Sequence, residues 1–175
     1  MNAVALTLAE VTKLTGAKRR TVQLWAEAGV LIAEHATDRA GTGVHRRFSK
    51  DEAIVACLVH AFARRLQTPI GVLLRISKLL RTSMSHEKFA SMVHRAIADP
   101  DSELFLILRG SGAPSFVIEF GDGSVDEELS LAVVEGKTAG ADRDALIAKN
   151  MTAKLNSYGS VAVVICANPY LSMFQ

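Results

Sequence analysis

Between Thr7 and Gly29 two short helical patterns follow one another, each closed by a glycine, and this limits the fold more than any other feature. In "TLAEVTKLTG", Thr7 stands as an N-cap with Glu10 three residues on, the spacing of a capping box. Leu8, Val11 and Leu14 recur along one face, and Gly16 occupies the place of a helix-ending C′ residue. The second pattern runs from about Arg19 to Ala28, with Val22, Leu24, Trp25 and Ala28 as packing positions and Gly29 after it. Segments this short are marginal alone. They must pack on each other and on a third element, which predicts a helix-turn-helix.

The second helix begins oddly. "AKRR" places Lys18, Arg19 and Arg20 where the helix dipole disfavours cations by a few tenths of a kcal/mol each. Such a start is reasonable if those side chains face a polyanion. The charge distribution agrees: residues 1–82 hold 13 Lys and Arg against 6 Asp and Glu, net +7. Residues 83–175 hold 7 against 12, net −5. A basic first half and an acidic second half assign the polyanion to the front of the chain.

The remaining sequence reads as two domains of an α+β protein. After Gly29, Val30–Ile32 and Val44–Phe48 look like two strands of a wing around the turn-rich tip "TDRAGTG". Ser49 and Glu52 then form a second capping-box pair before an apolar helix, and Thr68 with Pro69 at N1 opens another. "HEKFASMVHRAIAD" is a further helix ending at "DPDS". Beyond it, "ELFLILRG", "SFVIEFGDG", "LSLAVVEG" and "VAVVICAN" read as strands, with a helix over 142–159 before the last, and "GSGAPS" as a hairpin loop. The expected organisation is a winged helix-turn-helix over 1–82, a linking helix over 83–100, and a small β-β-β-α-β domain over 101–175.

A helix-turn-helix followed by a basic wing is a DNA-reading device: the second helix enters the major groove by its N-terminal turn, and the wing grips the adjacent backbone. The residues expected at DNA are Lys18, Arg19, Arg20, Thr21 and Gln23 on the helix, and Arg39, His45, Arg46 and Arg47 on the wing. Gln23 suits a base edge because its amide donates and accepts together. Trp25 lies beyond the first turn and reads as a packing residue. Arg64, Arg65, Arg75, Lys78 and Arg81 read equally as further phosphate contacts or as solvated helix faces.

From about Leu6 to Leu80 the chain resembles the DNA-binding domain of MerR-type transcription regulators. The resemblance rests on "LAEVTKLTGAKRRTVQLWAEAGVL", a wing ending "HRRFS", a helix opening "KDEAI", and "TPIGVLLRI". Arg20-Thr21 matches that family's Arg-Thr, Trp25 one of its aromatic positions, Gly29-Val30-Leu31 its Gly-Leu-Leu, and Arg46 and Phe48 its wing Arg and aromatic. The resemblance implies DNA contacts at Arg20 and Arg46, and the function of a sequence-specific DNA-binding transcription regulator. It covers the first half only. The family's metal-sensing cysteines have no counterpart, so neither metal nor cofactor is expected. One recognition helix and one wing bury too little for tight specific binding, so a homodimer on double-stranded DNA is expected, with RNA polymerase or another protein as a further partner.

Other chemistry has weaker support. Cys57 and His60 share a helix face but lack a second ligand pair, and His86 and His94 fit an ordinary amphipathic helix. The acids of "GDGSVDEE", Asp122 and Asp126–Glu128, lack EF-hand spacing and read as an acidic turn. No hydrolase elbow, P-loop or HExxH occurs, so no enzyme is expected. No apolar run reaches the roughly 18 residues of a membrane span, and the opening residues lack a signal pattern, so a cytoplasmic protein without membrane contact is expected. The two cysteines do not call for a disulfide. The alternative is an adaptor whose α+β domain binds another protein while DNA affinity is incidental. At the C-terminus, Tyr170, Leu171, Met173 and Phe174 need cover, in their own domain or on a partner subunit.

Overall fold

The computed structural model describes residues 5–34, 37, 45–99, 103–110, 116–121, 133–134 and 162–174. It divides into two compact units, one of residues 1–85 with Tyr170–Phe174 and one of residues 86–169 with Gln175.

In the first unit, β1 (Leu6–Thr7) leads directly into α1 (Leu8–Thr15). The capping box forms in full. The Thr7 hydroxyl accepts from Glu10 N–H at 3.2 Å, while the Glu10 carboxylate accepts from Thr7 N–H at 2.6 Å. The Thr7 backbone N–H and then its hydroxyl hold the Glu10 carboxyl below its ordinary value, and Arg47 adds to this. Gly16 ends the helix at φ 64°, a left-handed conformation in which a Cβ would be strained. Helix α2 (Arg19–Glu27) packs on α1, and Gly29 at φ 74° turns the chain away from it. Val22 and Trp25 are buried, whereas Leu24 is 40% exposed and Ala28 is also outside the core.

The core of this unit is α3 (Lys50–Leu66). All of Ala53–Val59 is buried, and Ile54, Leu58 and Phe62 are sealed completely, each worth roughly 1.5–3 kcal/mol of burial. Both α1 and α4 (Ile70–Met84) pack on it. The helix ends at Gln67 with φ 48°, a left-handed non-glycine residue. Pro69 caps α4 rather than filling its first turn, because the Thr68 hydroxyl instead donates to the Phe62 carbonyl at 3.1 Å.

The wing departs from the expected hairpin. Its return strand, β2 (Arg47–Phe48), pairs antiparallel with β1, Leu6 opposite Phe48 and Thr7 opposite Arg47. No strand forms over Val30–Ile32, because those backbone groups have other partners. Leu31 N–H bonds the Trp25 carbonyl, Ile32 N–H the Glu52 carboxylate, and the Val30 carbonyl the Arg81 guanidinium. Among the described residues the two sides of the wing meet at its base, where Glu34 N–H donates to the Arg47 carbonyl at 2.7 Å and Arg47 N–H to the Thr37 hydroxyl at 2.9 Å. Residues 38–44, the expected tip and start of the return strand, lie outside the described residues.

In the second unit, α5 (Glu87–Ala98) buries Phe89, Met92, Val93 and Ala96 and packs against β3 (Glu103–Gly110). Strand β3 pairs antiparallel with β4 (Phe116–Gly121), β5 (Val133–Val134) and β6 (Ala162–Cys166). In the register of the sheet, Leu106 lies opposite Phe120 on one neighbouring strand and Ile165 on the other. Past β6, Asn168 accepts the Leu104 N–H on its side-chain oxygen at 2.7 Å. The helix expected over 142–159, the acidic turn at Asp122 and Asp126–Glu128, and the loop 111–115 lie outside the described residues. The chain then forms α6 (Asn168–Leu171) and a 3-10 turn, Ser172–Phe174. Among the described residues no helix is long and apolar enough to cross a membrane.

Candidate nucleic-acid interface

Of the four helices in the first unit, α1 and α3 start with a side-chain cap and first-turn acids, whereas α2 and α4 have neither, and only α2 puts cations there instead. Thr7 caps α1 with Glu10 in its first turn, and Ser49 caps α3 with Asp51 and Glu52 in its first turn. At α2 the N-cap is Lys18, whose side chain makes no cap bond, and the first turn holds no acid. Lys18, Arg19 and Arg20 are all exposed, and none forms an ion pair among the described residues. The first intrahelical bonds come from Thr21 N–H and Val22 N–H to the Lys18 carbonyl, so the N–H groups of Arg19 and Arg20 point out of the helix end. Positive dipole, outward N–H groups and three cations coincide, which is an arrangement suited to an anion.

Further along, Thr21 and Gln23 are half-buried, Thr21 one residue beyond the cations and Gln23 a turn beyond Arg19 and Arg20. On the wing, His45 and Arg47 are exposed and Arg46 is half-buried, while Arg39 lies outside the described residues. Arg47 occupies β2, with its guanidinium 3.5 Å from the Ala5 carbonyl. Helix α2 and strand β2 both pack on α1, so one short helix carries the elements bearing both basic groups. The structure thereby builds the helical and wing cations into a single unit.

Sequence reasoning missed the network that fixes the exit of α2. Glu52 gives its backbone N–H to the Ser49 hydroxyl at 3.1 Å, but its carboxylate does not return to the cap as the box spacing suggests. It receives Ile32 N–H at 2.8 Å and Arg81 through Nε at 2.9 Å and a terminal nitrogen at 2.6 Å. Arg81 also bonds the Val30 carbonyl and the Ser77 hydroxyl. A bidentate guanidinium–carboxylate pair is the strong, directional kind, and here it clasps residues 30–32 from both sides. Arg81 is therefore tied to the fold, which removes it from the candidate phosphate contacts. Arg65 likewise donates its Nε to the Tyr170 hydroxyl at 3.1 Å. The missed signal lay in Glu52 and Arg81 being the right ion pair, 29 residues apart, where spacing rules have no reach.

The remaining titratable groups point away from chemistry. Cys57 is sealed in α3, and burial pushes its thiol up to about 12, which leaves it without nucleophilic or ligating character at neutral pH. His60 sits between two rings, 6.1 Å from Trp25 and 5.9 Å from Tyr170, centre to centre. Burial lowers its pKa, opposed by the Thr15 backbone and assisted by Arg64, and its buried Nδ1 has no partner among the described residues. His86 and His94 are exposed. Among the described residues no three His, Cys, Asp or Glu side chains cluster as metal ligands.

Comparison of the chain with models of protein families finds no match, and comparison with curated proteins finds none either. The resemblance to MerR-type regulators thus rests on the residues themselves.

Proposed function

We propose that this protein is a sequence-specific, MerR-like DNA-binding transcription regulator, acting as a homodimer in the cytoplasm. The observation that carries the reading is the start of α2: three exposed cations around a helix N-terminus with no side-chain cap and no acid. Against a duplex, Lys18 and Arg19 meet phosphates, and Arg20 and Gln23 reach base edges in the major groove. Thr21 adds a hydroxyl to the same turn. Arg39, His45, Arg46 and Arg47 hold the flanking backbone from the wing. The acidic second half keeps clear of the polyanion and serves self-association, effector sensing, or contact with RNA polymerase or another protein.

The test is selection of bound duplexes from a random pool at low and at physiological salt. A motif that survives physiological salt, in the form of an inverted repeat, supports a sequence-reading dimer. Enrichment confined to low salt and without a motif reduces the basic face to charge attraction and contradicts the reading.

A further inference from the structure

The last residues of the chain fold with the first unit. The Tyr170 hydroxyl accepts from Arg65 Nε at 3.1 Å, near the end of α3. Its ring meets His60 nearly edge-on, at 84° and 5.9 Å. His60 in turn packs against Trp25 at 6.1 Å, and Trp25 is buried on the same helix that carries Arg19, Arg20 and Gln23. Leu171 is fully buried, and the turn Ser172–Phe174 packs on α1. A row of three rings therefore runs from the C-terminal tail through α3 to the recognition helix. The middle ring has a buried nitrogen without a partner among the described residues, and on that side ring packing keeps it in place.

We propose that Tyr170 is a positioning residue for the recognition helix: the C-terminal tail, acting through His60 and Trp25, sets the seat of α2. A side chain 145 positions after Trp25 in sequence thus belongs to the same working part of the molecule. Edge-to-face rings hold a preferred geometry rather than merely filling space, so removing the outer ring loosens the inner two. The consequence for DNA rests on the function proposed above; the seating of α2 does not.

The experiment uses the full-length chain and its one tryptophan, Trp25, as the probe. Tyr170→Ala is expected to red-shift Trp25 emission and raise its quenching by acrylamide, with no DNA present. The same variant is expected to bind the selected duplex about 3- to 10-fold more weakly. Its salt slope should stay native, because no cation is changed. Tyr170→Phe keeps the ring and loses only the bond from Arg65, so it should recover most of both readouts and leave the same small residual Trp25 shift as Arg65→Met. Arg65→Met removes only the polar tie at an exposed residue and should give a smaller Trp25 shift in the same direction. It decides the matter if Tyr170→Ala lacks the native far-ultraviolet circular dichroism.

Native Trp25 emission and quenching in Tyr170→Ala, or in Arg65→Met where that variant decides, overturns the proposal. So does altered emission with native duplex affinity, since the tail would then hold a helix to no effect on reading. If the native chain selects no duplex, the DNA reading fails separately, and the Trp25 signal alone decides whether Tyr170 seats α2.

Discussion

The two ends of α2 are built on opposite plans. At its start, Lys18, Arg19 and Arg20 stand exposed around outward N–H groups, with no cap and no acid. At its exit, Val30 and Ile32 are gripped by Arg81 and Glu52, with charge matched to charge and the surrounding donors satisfied. The same guanidinium group thus does two jobs. Where its charge is paired and half-buried, it fixes the backbone; where it stands on a helix N-terminus without an ion pair among the described residues, it adds to the positive end of the helix dipole. A helix seated firmly at one end and open at the other can present its first turn to a groove without shifting.

Breaking the closed end should have the largest effect. Arg81→Met keeps much of the side-chain volume but strands the Glu52 carboxylate and the Val30 carbonyl. The expected loss is about 2–4 kcal/mol of stability, read by urea unfolding with Trp25 emission as the signal. Little or no loss would mean that the clasp is ornamental and that the contrast between the two ends is not energetic.

Closing the open end should do the reverse on a smaller scale. Lys18→Ser gives α2 the kind of start that Thr7 gives α1 and Ser49 gives α3. Stability should rise by about 0.5–1 kcal/mol, while duplex binding weakens and its salt slope falls by about one. A variant that gains in both stability and binding would sink the idea that the missing cap serves a ligand.

The smallest expected effect lies beside the helix, at His60. Burial holds its folded-state pKa below the ordinary 6.5, so the unfolded chain takes up the proton first as pH falls. Its contribution to stability is therefore complete above about pH 6.5 and declines below that, until the folded imidazole also protonates. His60→Gln should flatten this part of the stability–pH curve between pH 7 and 5. A curve with unchanged slope would show that other groups carry it.

Much of the open end was legible in the sequence, and little of the closed one. The capping box at Thr7 and Glu10, the glycines after α1 and α2, and the cations on α2 are local patterns, and spacing alone reveals them. Glu52 shows the limit. Its distance from Ser49 fits a capping box, yet a tertiary partner on α4 takes its carboxylate, because a buried ion pair outcompetes a solvent-exposed cap bond. The wing shows a second limit: β2 pairs with Leu6–Thr7 instead of the outgoing chain, and no period in residues 30–48 indicates that distant partner. The C-terminal cluster of Tyr170, Leu171, Met173 and Phe174 did announce a need for cover, but not that Leu171 alone would be sealed, with Tyr170 on the first unit and Met173 left 52% exposed.

The most direct measurement compares native protein and Arg20→Ala, side by side, for affinity to the selected duplex and for stability in urea. Weaker binding by about 1–3 kcal/mol is predicted, with stability unchanged or a few tenths of a kcal/mol higher, as a cation leaves the helix N-terminus. Native affinity in Arg20→Ala, or a loss of binding matched by a loss of stability, would contradict the claim that the open end of α2 reads DNA.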